Sequence, residues 1–129
     1  MYIDIIDSGD NLIKSNAIHS INSKIAECLT QRFNLDNNLI PIIHVHSIYG
    51  SPDYGEIMNV TAVDSSGSYV QATVDICVKI GVVGGNLELV YIVECVNSKG
   101  IVEHRKGGRV SDYAISTIVS LATNYLNKS

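Results

Sequence analysis

Two carboxylates stand inside the most apolar stretches of the chain, Asp75 in "TVDICV" and Glu94 in "YIVECV". An unpaired charge in such surroundings is costly, so each calls for a metal ion, a proton or a basic neighbour. Two further groupings could do chemistry. In "HVH", His44 and His46 are two apart, which on a strand puts both imidazoles on one face, able to hold a metal ion if a third ligand approaches. His104 would be that ligand only if its strand lay alongside. In "HRKGGRVSD", Arg105, Lys106 and Arg109 surround Gly107 and Gly108 just ahead of a helix start, where free backbone N–H groups favour a phosphate or carboxylate. With Lys99 this window holds four of the nine basic residues. The plainer accounts are two strand histidines with local hydrogen bonds, and a sheet edge guarded by Lys and Arg. No G-x-x-x-x-G-K-[ST] sequence is present, which favours the guarded edge.

The pair "TVDICV" and "YIVECVNSKG" resembles the core hairpin of the PD-(D/E)XK, restriction-endonuclease-like family over roughly residues 70–125. The resemblance implies that Asp75 and Glu94 hold Mg²⁺ for phosphodiester hydrolysis, with a lysine activating the attacking water. The lysine position holds Val96, and Lys99 lies in the following turn. For the helical glutamate that often precedes the hairpin in that family, Glu27 is the only candidate. On a helical wheel it falls away from the Ile21, Ile25 and Leu29 stripe and faces solvent. Without that resemblance no cofactor is called for.

The elements that must position these residues follow from periodicity. After a short strand at Tyr2 to Ile6, Asp10 is a candidate N-cap for an amphipathic helix carrying Ile18, Ile21, Ile25, Cys28 and Leu29 and ending around Phe33. Five strands are expected at about 39–49, 56–64, 68–80, 87–96 and 101–106. The links "GSPDYG", "SSG", "GVVGGN" and "NSKG" are hairpin length, and parallel neighbours would need longer crossovers, so the strands form an antiparallel meander. A last helix runs from about Asp112 to Leu126, with Ser111 as N-cap. From Tyr113 to Asn127 it carries no charge, and Ser116, Thr117, Ser120, Thr123 and Asn124 form a polar face suited to contact with the protein itself or a second copy. The product is a single α+β domain spanning 1–129, a five-stranded antiparallel meander with an N-terminal and a C-terminal helix on one face.

The strand bearing Glu94 is apolar on both faces, which predicts cover on both sides. Two registers against its partner are open. One sets Lys79 opposite Glu88 and Asp75 opposite Ile92, leaving Asp75 and Glu94 diagonal on one face; the other sets Glu94 opposite Val74 in a dry layer. The first is preferred, because it gives Glu94 polar company.

Composition narrows the function. The 129 residues are 46% hydrophobic, enough for one core, and the net charge of -4 does not favour nucleic acid or an anionic membrane. No apolar run approaches the roughly 20 residues that span a bilayer, and the start lacks the features of a signal peptide, so a cytoplasmic protein is expected. Cys28, Cys77 and Cys95 have neither disulfide nor zinc spacing. With no complete catalytic constellation, the residues suggest a binding or assembly module contacting a protein partner, chiefly a second copy, as a homo-oligomer.

Overall fold

The computed structural model describes the backbone of residues 2–36, 39–48 and 55–129, and the side chains of residues 16–35, 39–47 and 55–129. Helix α1 (Tyr2–Asp36) leads into strands β1 (Ile40–Ile48), β2 (Gly55–Val63), β3 (Thr73–Val83), β4 (Asn86–Val96) and β5 (Val102–Arg109), and α2 (Asp112–Asn127) closes the chain. The sheet order is β1-β2-β3-β4-β5 with every neighbouring pair antiparallel, the expected meander. The "GSPDYG" link lies mostly outside the described residues. Among the described residues no helix is long and apolar enough to cross a membrane.

The strand expected at Tyr2 to Ile6 is instead the first part of α1, which runs through Asp10 without a cap there. A short strand is stable only when paired, whereas a helix satisfies its own backbone groups, and a single Gly9 costs a helix interior only about 1 kcal/mol. Further along α1, Ile18, Ile25, Leu29 and Phe33 are buried against the sheet, and Ile21 and Cys28 flank them.

Both helices pack on one face of the sheet. Met58, Val60 and Ala62 of β2, Val74, Ile76 and Val78 of β3, and Tyr91, Val93 and Cys95 of β4 point into that layer and are buried. Helix α2 adds Ile115, Ile118, Ala122 and Leu126. Its start is built as expected, with Ser111 Oγ accepting from the Ala114 N–H at 3.0 Å, and Lys24 of α1 pairs with Asp112 at 3.2 Å. The expectation that β4 is covered on both sides is not met: among the described residues nothing packs over its Val90, Ile92, Glu94 and Val96 face, because both helices lie on the other side.

The β3–β4 register follows neither expectation. Both strands run further than their apolar pattern suggests, to Val83 and from Asn86, leaving only Gly84 and Gly85 as the turn. Their φ values of 56° and 83° are those of a type I′ hairpin turn, which needs positive φ at both central residues. Closing the hairpin so tightly sets Val83 opposite Asn86, and every pair behind it follows down to Asp75 opposite Glu94. Gly81 belongs to the strand for a separate reason: a Cβ there would sit 2.8 Å from Val90 Cγ2.

Candidate functional site

The alternation of each strand and the four registers align one polar residue per strand across the open face. His44 faces Asn59, Asn59 faces Asp75, Asp75 faces Glu94, and Glu94 faces Arg105. The carboxylates are therefore direct cross-strand neighbours, on the face that the preferred register required but without its diagonal offset. Like charges so placed destabilise a sheet unless compensated. The compensation is uneven. Asn59 Nδ2 donates to Asp75 Oδ1 at 2.7 Å, while Arg105 Nε lies 3.8 Å from Glu94 Oε2. Asp75 has a neutral donor and no cationic side chain within ion-pair distance among the described residues.

The adjoining row is His46, Ile57, Cys77, Ile92 and Gly107, and the next is Gly55, Lys79, Val90 and Arg109. The twist of the sheet makes a shallow depression of about 420 Å³ over the first two rows, with Ile57, Cys77 and Ile92 as an apolar floor and Asn59, Asp75, Glu94 and Arg105 along one side. Arg109 Nε comes within 2.8 Å of Glu88 Oε2, as a charge-to-charge approach without a well-aligned N–H.

The other candidate residues are spread apart. His44 and His46 share the open face on the edge strand β1 and are exposed, but His104 is on β5 at the opposite edge and faces the helices, where its ring meets Tyr125 edge-on at 5.8 Å. The three histidines do not converge. Arg105, Lys106, Gly107, Gly108 and Arg109 form β5 itself, so their side chains alternate between faces and the two arginines turn to Glu94 and Glu88. No cradle for an anion is gathered there. On α2, Ser116 and Asn124 are exposed and Thr117 and Ser120 partly so, but Thr123 is buried and its hydroxyl donates to the Val119 carbonyl at 2.8 Å. The protein itself thus covers one edge of the polar helix face.

A divalent ion at Asp75 and Glu94 would find two carboxylates side by side. Among the described residues no group of three or more His, Cys, Asp or Glu is placed to share one. Arg105 brings positive charge to Glu94, Glu27 is exposed on α1 away from the open face, and Val96 sets methyl groups beside the acids.

Two polar features escape the reading of the sequence. Asn59 looks like mere strand, yet it holds Asp75; its position two residues after Ile57, on the face opposite Met58 and Val60, is the available signal. Glu56 shares the inward face of β2 with Met58 and is only 7% exposed; His19 Nδ1 of α1 lies 3.2 Å from its Oε1. The inward alternation of Glu56 is legible, but its helix partner is not. No family model, curated protein or solved structure matches this chain.

Proposed function

We infer that the chain is a non-catalytic binding module that assembles with protein through the uncovered face of its sheet. The observation that carries this reading is the placement of both helices on one side, which leaves a face bearing Ile57, Val90, Ile92 and Val96 without cover among the described residues. Ile57, Cys77 and Ile92 form one half-buried row with Val90 beside it, and apolar surface left without a covering layer is suited to docking. The polar row supports docking over catalysis, because its acids are partly matched by Asn59 and Arg105 and the row beside them is Ile57, Cys77 and Ile92.

Sedimentation equilibrium across micromolar concentrations tests it. The native chain is expected to gain mass with concentration, and Ile92→Lys to remain monomeric with an unchanged far-UV spectrum. Asn124→Lys, on the exposed side of α2, should assemble like the native chain. Loss of assembly with Asn124→Lys and not with Ile92→Lys would move the contact to the helix. A native chain that stays monomeric throughout would remove the reading.

A further inference from the structure

On the open face, the residues of β3 are ordered by charge about a centre. Asp75 and Lys79 stand two residues either side of Cys77, and all three point the same way. Lys79, like Asp75, has no oppositely charged side chain within ion-pair distance among the described residues. Their rows carry the pattern in part: Asp75 and Glu94 with Arg105 at the end, then Ile57, Cys77 and Ile92, then Lys79 and Arg109 with Val90 between them. A two-fold axis along the row of Ile57, Cys77 and Ile92, perpendicular to the strands, lays that row on its copy and exchanges Asp75 with Lys79.

We propose that the docked partner is a second copy of this chain, packed face to face about that axis, with Asp75 of each copy paired to Lys79 of the other. This deepens the reading of the open face as a docking surface and rests on it. Asp75 and Lys79 then each find a counter-charge in the other copy, while Glu94, with Arg105 beside it, falls over Val90. Asn59 falls over the side-chain-free Gly55, which leaves room for the amide. Arg105 falls over Arg109, a contact each arginine tolerates because its own glutamate, Glu94 or Glu88, is already beside it. Size agrees as well. Five strands spaced about 4.8 Å apart and about 30 Å long present roughly 700 Å², so two copies would bury about 1,400 Å², inside the ~1,200–2,000 Å² range of stable interfaces. Sheets stacked this way sit about 10 Å apart with nearly aligned strands.

Charge complementation tests the arrangement. Asp75→Lys alone and Lys79→Asp alone should each weaken dimerisation by at least about tenfold, since each sets like charges together at two symmetric places. An equimolar mixture of the two variants should recover the dimer mass. In the mixed dimer the lysine introduced at position 75 of one chain meets the aspartate introduced at position 79 of the other, and the native Lys79 and Asp75 meet at the symmetric place. Cys77, central to that interface, should also react with a maleimide more slowly at concentrations where the dimer forms than in dilute monomer, read in the Cys28→Ser chain; burial pushes the Cys95 thiol up to about 11, so it stays unreactive. Dimers that survive both single substitutions, or a mixture that stays monomeric, would overturn this packing while leaving assembly through the face intact. A Cys77 alkylated equally fast in dimer and monomer would do the same without any charge variant. A native chain that is monomeric at every concentration would remove both.

Discussion

The two faces of β3 are made from one run of residues and have opposite fates. Val74, Ile76 and Val78 are fully buried under the helices, while Thr73, Asp75, Cys77 and Lys79 are only half-buried by their cross-strand neighbours. The carboxylates divide in the same way. Glu56 faces the helices and is nearly sealed beside His19, whereas the Glu94 side chain keeps 38% of its exposure next to Arg105. One face is therefore organised for stability, with its polar exceptions closed off. The other holds polar groups whose matching is incomplete, which is the state expected of a surface that finishes its contacts with something else.

Substitutions of similar chemistry on the two faces should separate these roles. Ile76→Ala, in the covered layer, should cost about 2–5 kcal/mol in urea unfolding, the usual range for a fully buried large-to-small change. Ile92→Ala, one strand over on the open face, should cost clearly less in a dilute monomer. Equal losses would mean that the open face is covered after all. Asn22 offers a change of opposite sign. It is 1% exposed on the buried side of α1, and neither polar atom of its side chain has a partner among the described residues. Asn22→Leu should stabilise the chain by about 1–2 kcal/mol, because it removes a desolvated amide while keeping the same number and branching of side-chain heavy atoms. Destabilisation would show that the amide is satisfied, for instance by an internal water.

How far this contrast is legible in the sequence depends on which signal is local. Period-two alternation identifies Val74, Ile76 and Val78 as the inward set of β3 correctly, although the strand begins at Thr73 and not near 68, and short links suffice for the meander. Ser111 announces the start of α2. The register fails because it is set by the turn, and the turn is masked by composition: "GVVGGN" reads as loop, although Val82 and Val83 continue the strand and only Gly84 and Gly85 bend. The polar row needs four registers at once. His44, Asn59, Asp75, Glu94 and Arg105 are spread over 62 positions, from 44 to 105, and no local pattern announces that they align.

The turn can be tested at intermediate cost. Gly85 has φ 83° with open space where a Cβ would be, so Gly85→Ala meets no clash and loses only what the left-handed conformation costs, about 1 kcal/mol. Asn is tolerated better in that region, so Gly85→Asn should recover part of the loss. If Gly85→Ala were neutral, the hairpin would not be held by a type I′ turn, and the opposition of Asp75 and Glu94 would lose its cause.

The smallest effects belong to the charges of the open face. The Arg109 side chain is 63% exposed, so Arg109→Ala should lower stability by less than about 1 kcal/mol despite the 2.8 Å approach to Glu88. Mg²⁺ or Mn²⁺ should leave the melting temperature unchanged in the native chain and in Asp75→Ala alike, and with either ion neither protein should cleave DNA or RNA, because among the described residues no third His, Cys, Asp or Glu joins Asp75 and Glu94 and Arg105 already brings positive charge beside Glu94. A metal-induced rise in melting temperature that Asp75→Ala abolishes would reverse this. The open face would then be completed by an ion and not by a second chain, and the unmatched charge on Asp75 would be a ligand awaiting its metal.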